Sequence, residues 1–382
     1  MRLSTDDLDV FFEDRHRALA GELGAAAPAI EAAERGAPDA DGRARAVAAE
    51  MGRLGLYRWL LPESGSVDVR ALCLVREMLG QVSPLGDAIF AVQGLGSYPL
   101  LIAGSGEQRA LGDALRAGEA IAAFALTEPG AGSDVASIAT SARRDGDGWV
   151  LEGEKTFISS AGLATHYLVF ATVDPAARRK GITAFWVPAD TPGLTVRPIA
   201  LGIEHPIGEL TFAGCRVPAG AQVGEAGEGF ALAMRTLDTF RLTVGAAACG
   251  MARRAFDAAR AHVTGRVQFG APLSDTQLVQ AHLADMACDL DAARLLVLRA
   301  ALVADRGQPV TVPAAMAKLC ATEAAQRVID RAVQLFGGRG VRQGEVVEAL
   351  YRAIRPLRIY EGTSEIQRII IGRALAREAR RG

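Results

Sequence analysis

FALTEPGAGSDV, Phe124 to Val135, stands where the texture of the chain changes. Pro129-Gly130 sets a turn. Gly130 and Gly132 let a backbone approach a planar or charged ligand closely. Thr127 and Ser133 add hydroxyls that can bond ligand heteroatoms. By composition alone the segment is an ordinary surface turn, but its surroundings carry more. Before about residue 121 the chain reads as helical. Ala, Leu, Glu and Arg dominate, Leu19, Leu23 and Ile30 share one face, and Pro62, Gly65 and Pro84 punctuate. Between 149 and 216 come short β-branched or alternating runs. They are Trp149-Val150-Leu151, Tyr167 to Phe170, Ile182 to Val187 and Leu210-Thr211-Phe212, with turn residues between them. From about Gly227 helical patterning returns over 229–265, 275–306 and 313–336. Ser364 and Gln367 stand three apart, as in a capping box. Ile366, Ile369 and Ile370 follow as a stripe, so the last helix starts near Ser364. The order predicts an α+β fold, mostly α. It has an N-terminal helical domain over 1–120, a small antiparallel β domain over 121–226 and a helical domain over 227–382.

The 382 residues suffice for two or three packed units. A formal charge of -2 gives no basic excess, so neither nucleic acid nor an anionic membrane is an expected partner. Lysines are few: Lys155, Lys180 and Lys318 stand among many arginines. Five scattered cysteines without a CxxC suggest no disulfide framework and no metal site, and read as buried apolar thiols. The N-terminus is acidic and mixed, unlike a signal peptide, and no apolar run approaches about 18 residues. No membrane span and a cytoplasmic location are expected.

As a whole string, Phe124 to Val135 resembles the flavin-binding signature of the acyl-CoA dehydrogenase family. The resemblance spans nearly the whole chain. It implies a C-terminal four-helix bundle, FAD as cofactor, and flavin contacts from Phe124, Leu126, Thr127 and Ser133. Ser133 would also meet the acyl-CoA. No GxGxxG stands between a strand and a helix, which disfavours a nicotinamide enzyme. GWVLEGEKTFISSA, Gly148 to Ala161, looks like the family's next strand pair. The family usually has Trp-Ile-Thr or Trp-Ile-Ser there, and this chain has Phe157-Ile158-Ser159. Ser159 would then bond flavin N5. Phe157 keeps an aromatic face, without the indole, near the route to the electron-transfer flavoprotein. GRVQFGAPLSDTQ, Gly265 to Gln277, resembles the segment that faces the flavin diphosphate, which implicates Arg266, Phe269 and Gln277. QLFGGRG, Gln334 to Gly340, resembles the glycine pair near the adenine half, which implicates Gln334, Gly337 and Gly338. In the family these two segments reach the flavin of a neighbouring subunit, so a homodimer or homotetramer is implied.

RIYEGTSEIQR, Arg358 to Arg368, is the second signature. Taken singly, Glu361 is a helix-start acid favoured by the helix dipole. In the family YEGT carries the catalytic base, so the resemblance implies that Glu361 removes the α-proton of a saturated thioester. The β-hydrogen leaves as hydride, which no side chain accepts, and a flavin does. The thioester carbonyl would be held by the Glu361 N–H and a ribityl hydroxyl. Thr363 and Glu365 are implied cofactor contacts. The helix start should lower the pKa of Glu361 and burial should raise it, and desolvation is expected to dominate once substrate fills the pocket.

LDTFR, Leu237 to Arg241, resembles the family's Asp-x-x-Arg near substrate, so Asp238 and Arg241 are implied contacts, with Tyr360 and Gly362 lining the same cavity. Some members place their base where this chain has Phe240. A phenyl cannot serve, and it would crowd the acyl cavity in favour of short or compact groups. Two segments depart from the pattern. GIEHPIGEL, Gly202 to Leu210, puts Glu204 and His205 where a cation and small hydroxyls are common, and His205 reads as a loop histidine. PESGSVDV, Pro62 to Val69, is shorter than the usual loop. Both would suit an acyl-carrier-protein thioester in place of acyl-CoA. A non-dehydrogenase flavoprotein of the same fold is the other alternative, against which Glu361 argues.

Overall fold

The structure, a computed structural model, describes residue 5, residues 8–63 and residues 65–380. Ser64 of the PESGSVDV segment lies outside the described residues. Contacts divide the chain into two compact units. One comprises Met1–Glu31, Asp68–Asp87 and Arg241–Gly382. The other comprises Ala32–Val67 and Ala88–Phe240. Helices α1 (Asp14–Gly36), α2 (Ala40–Arg53), α3 (Val69–Val82), α4 (Pro84–Ala103), α5 (Gly106–Ala110) and α6 (Gly112–Ala117) precede the first strand. Helix α4 is long and apolar enough to cross a membrane, which the sequence reading did not anticipate. It is 78% buried within the protein, as a core helix is.

The second unit holds the sheet: β1 (Ala122–Ala125), β2 (Ser141–Asp145), β3 (Gly148–Ser159), β4 (His166–Thr172), β5 (Ile182–Pro188), β6 (Leu194–Pro198), β7 (Ile207–Val217) and β8 (Gln222–Val223). The order is β6-β7-β3-β2-β4-β5-β8, with β1 beside β4. The sheet is mixed, which corrects the antiparallel expectation. Strand β1 runs parallel to β4 from Ala122↔His166 to Ala125↔Val169, and β2 meets β4 in parallel at Ser141↔Thr172. Forty residues separate β1 from β4, ample for a parallel crossover, and alternation alone cannot reveal strand direction. Helix α4 fixes the start of β1. Buried Gln93 accepts from the Ala122 N–H at 2.7 Å and donates to the Leu115 and Ala120 carbonyls. A Cβ at Gly96 would stand 2.7 Å from the Ala122 methyl, so only glycine permits this approach.

Strand β3 carries two register shifts against β7, at Leu151/Gly153 and at Lys155/Ile158. The second breaks strict alternation. Lys155 and Thr156 are both buried, and Phe157, at φ 54°, is turned out and 59% exposed. A non-glycine residue there is strained by about 1 kcal/mol or more.

The first unit is helical. It takes α3 and the body of α7 (Gly229–Gly265), then the hairpin β9 (Val267–Gln268) and β10 (Ala271–Pro272), α8 (Gln277–Asp305), α9 (Thr311–Phe336), α10 (Val346–Ile354) and α11 (Ser364–Glu378). These bounds match the three expected helical stretches within two residues. Beneath α3 lies a buried, bidentate ion pair, Arg76 to Asp87, at 2.8 and 2.9 Å, and Arg76 also donates to Thr243 Oγ1. Helix α11 begins at Ser364 as expected, but its cap is Thr363, whose hydroxyl accepts from the Ile366 N–H. Gln367 does not complete a capping box, because its amide is spent on the preceding turn. The cysteines are also corrected in part: Cys73, Cys215 and Cys249 are buried, and Cys288 and Cys320 are exposed.

Candidate active site

In the sheet unit, β1 delivers the segment that follows it. Phe124 is half-buried, its ring 4.9 Å from that of Phe170, and Leu126 is buried. Ser133 is exposed. The Thr156 N–H donates to the Thr127 carbonyl at 2.9 Å, which ties this loop to β3. Lys155 makes a second tie. Its buried ammonium donates to the Leu126 carbonyl at 3.1 Å and to Glu128 Oε1 at 2.7 Å. Glu128 also accepts from the Ala139 N–H at 2.6 Å and the Thr140 N–H at 3.0 Å. Burial pushes Lys155 down to about 8, against the pull of Glu128. Burial also pushes Glu128 up, but the Lys155 charge and the Ala139 N–H overcome it and hold the carboxyl low. So Phe124, Leu126, Thr127, Phe157 and Ser159 are gathered on two cross-braced segments. Ser159 Oγ lies 2.7 Å from His205 Nε2.

In the helical unit, Glu361 sits on a turn held from several sides. Its φ is 52° and that of Gly362 is 93°, both left-handed. Arg241 Nε donates to the Glu361 carbonyl at 3.0 Å. The Gly362 carbonyl accepts from Lys318 Nζ and Gln367 Nε2, each at 2.8 Å. Glu323 of α9 grips both flanks, accepting from Arg358 at 3.0 Å and from Ser364 Oγ at 2.6 Å. The residue Glu361 is half-exposed, yet its Oε2 is buried and has no hydrogen-bond partner among the described residues. Burial raises its pKa, opposed by Arg76, Arg241 and Lys318, so desolvation dominates. Burial likewise pushes Lys318 down to about 8.

Arg241 thus braces the backbone of Glu361. Tyr360 and Gly362 flank Glu361, and burial drives the Tyr360 phenol well above its ordinary range. Thr363 is committed as the helix cap, and Glu365 is exposed. Arg266, Phe269 and Gln277 are exposed around the β9–β10 hairpin, and Gln334, Gly337 and Gly338 are exposed where α9 ends. Stacking of His262 on Phe336, centroids 4.3 Å apart, joins these two regions. Asp238 and Phe240 fall in the sheet unit. Phe240 is fully buried, edge-on to Tyr98 at 5.6 Å and over Gly94, where a Cβ would stand 2.5 Å from the ring.

An orphaned buried carboxylate oxygen suits a base awaiting a C–H acid. In the sheet unit Phe157 is aromatic, exposed and held at positive φ, which suits contact with a planar cofactor, and in the helical unit Phe269 has the same features. The residues present fit a flavin. The descriptions "Acyl-CoA dehydrogenase, middle domain" and "Acyl-CoA dehydrogenase, C-terminal domain" match residues 123–215 and 227–376. The chain belongs to the acyl-CoA dehydrogenase family. It is an FAD-dependent oxidoreductase. It is 42% identical over 339 residues to human mitochondrial short-chain specific acyl-CoA dehydrogenase, covering 87% of this chain and 82% of that one. Butyryl-CoA dehydrogenase from Megasphaera elsdenii superposes with a TM-score of 0.88 at 33% identity, over 96% and 99% of the two chains. The prolyl acyl carrier protein oxidase AnaB superposes at 0.86 with 27% identity, over 95% and 99%.

The braces Glu128, Lys155, Lys318, Gln367 and Glu323 escaped the sequence reading. Part of the signal was present: where arginine is the habitual cation, two of the three lysines are buried at the two signatures.

Proposed function

We propose that this dehydrogenase acts on a short or compact saturated acyl-CoA, with Glu361 taking the α-proton. The observation that carries this is the buried, partnerless Oε2 of Glu361 on a braced turn. The bound flavin supplies the hydride acceptor for the β-hydrogen. The chain's own contribution is positional and electrostatic. Arg241, Lys318 and Gln367 hold the turn that aims the carboxylate, and burial brings its basicity closer to neutrality. The likeness to a short-chain and a butyryl enzyme supports a short acyl group.

Free CoA is favoured over a carrier protein by one feature. A cavity of about 410 Å³ is lined by Arg178, Arg179 and Lys180, with Asp134 and Phe230. Three cations against one carboxylate suit the phosphates of CoA. AnaB keeps the carrier-protein reading open to test. An electron-transfer flavoprotein is the proposed acceptor, near exposed Phe157, and a second copy is proposed over exposed Val267 and Phe269. The deciding experiment is anaerobic titration of the purified flavoprotein with acyl-CoA and acyl-carrier thioesters of graded length. Bleaching of the flavin by C4 to C6 acyl-CoA is expected, and no bleaching by any saturated thioester sinks the proposal.

A further inference from the structure

Ser159 ends β3, opposite Ile207 at the start of β7. The loop between β6 and β7 brings His205 back to it, with Nε2 2.7 Å from Ser159 Oγ. That contact is built on both sides. On one, Glu204 is gripped by Arg43 of α2 through two bonds of 2.7 Å, Nε to Oε2 and Nη2 to Oε1. On the other, the Pro206 carbonyl accepts from the Ser160 N–H at 2.6 Å. Proline stiffens the backbone beside the histidine, and Ser160 sits at φ 63°. A loop histidine tethered through both neighbours is positioned for a task.

The task follows from counting protons. A serine hydroxyl has one. A neutral imidazole can take that proton at a bare Nε2, or can donate from Nε2–H and leave it free. Burial pushes His205 down to about 4, so the ring is neutral at ordinary pH and both choices exist. On the reading that Ser159 faces flavin N5, an acceptor when oxidised, one choice is self-consistent. Nε2–H donates to Oγ, and the hydroxyl donates onward, each bond polarising the next.

We propose that His205 is a positioning residue that sets the direction of the Ser159 hydroxyl bond, keeping its proton for the flavin. It touches no substrate. It acts through Ser159, by making that hydroxyl a better donor and stopping it from turning away.

The test uses the FAD-loaded enzyme as wild type, His205→Leu, His205→Gln, Ser159→Ala and the Ser159→Ala/His205→Leu double variant. Thermal midpoints check that each is folded. The readouts are the visible spectrum and midpoint potential of the bound flavin without substrate, the FAD dissociation constant, and the rate of reduction by acyl-CoA. His205→Leu should shift the potential, perturb the spectrum and slow reduction roughly tenfold, the worth of one lost hydrogen bond. FAD affinity should change less than about twofold, because only the direction of one bond is altered. His205→Gln, whose amide can donate to Oγ, should recover most of the loss. In the Ser159→Ala background, His205→Leu should add nothing. Additive effects, or a potential unmoved by His205→Leu, overturn the role of His205 while leaving Ser159 at the flavin. A potential and spectrum unmoved by Ser159→Ala overturn the placement of Ser159, and this inference with it.

Discussion

Replacing Lys318 with Met should make the folded enzyme more stable and worse at catalysis. Lys318 is fully buried, and its ammonium reaches the Gly362 carbonyl at 2.8 Å. Its folded pKa is about 8, against 10.5 unfolded, because burial outweighs the attraction of Glu361. At about 1.36 kcal/mol per pH unit, that displacement costs roughly 3 kcal/mol at pH 7, where both states are protonated. Methionine has similar length and no charge to desolvate. It forfeits the bond to Gly362, worth about 1–1.5 kcal/mol, and Gln367 still donates to that carbonyl. A net gain of about 2 kcal/mol is expected at pH 7. Between about 8 and 10.5 the unfolded chain holds a proton that folded Lys318 has released, so wild-type stability rises with pH in that window. The advantage of the variant should therefore shrink from pH 8 upward. Lys155 titrates in the same window but is common to both proteins and cancels. The assay is urea unfolding of FAD-saturated enzyme at pH 7, 8.5 and 10, at one protein concentration. In parallel, the acid limb of flavin reduction should move to higher pH, because a cation that lowers the pKa of Glu361 is gone. A variant less stable than wild type at pH 7, or an advantage independent of pH, refutes the reasoning.

Glu361→Gln should remain folded and yellow while losing flavin reduction by acyl-CoA, read by anaerobic stopped flow; normal reduction would remove Glu361 as the base. Lys155→Met should cost about 3–5 kcal/mol by stranding the buried Glu128 carboxylate. Its deficit should begin to fade above the lowered wild-type pKa of Glu128 as pH falls, because the variant lacks the Lys155 charge that lowers it and a neutral acid needs no cation. Arg178→Glu with Arg179→Glu should raise KM for acyl-CoA at least tenfold, with kcat within about twofold, because phosphate contacts bind without touching the reacting carbons. An unchanged KM would move the CoA phosphates away from that cavity.

The helices and the two signatures were legible because each is local. Periodicity marks α7, α8 and α9 within two residues, and Phe124–Val135 and Arg358–Arg368 are continuous strings. Strand direction was not legible: β1 is four residues long and pairs with a strand forty residues later, and alternation is the same in either sense. The cap of α11 was misread by one position. Ser364 and Gln367 have the spacing of a capping box, but a distant partner claims each: Glu323 takes the hydroxyl, and the Glu361–Gly362 carbonyls take the amide. The brace from Arg241 was not legible either, since nothing nearby in sequence says that its guanidinium reaches across 120 residues to the Glu361 carbonyl.

The two buried lysines show why identity and burial do not suffice to read a site. Both are fully buried, and both are pushed down to about 8 by desolvation. Lys155 has a carboxylate at 2.7 Å, so the pair is mutually dependent and removing either member leaves a buried charge. Lys318 bonds a neutral carbonyl, and the nearby carboxylate of Glu361 is raised by its own burial. There the ammonium is a cost to the fold, retained beside Glu361, whose basicity it moderates. Opposite stability changes from the same substitution at the two lysines would therefore distinguish a cation that braces the Phe124–Val135 segment from one that tunes Glu361. Equal losses at both would mean that Lys318 is a structural brace as well, with the Gly362 carbonyl as its essential partner.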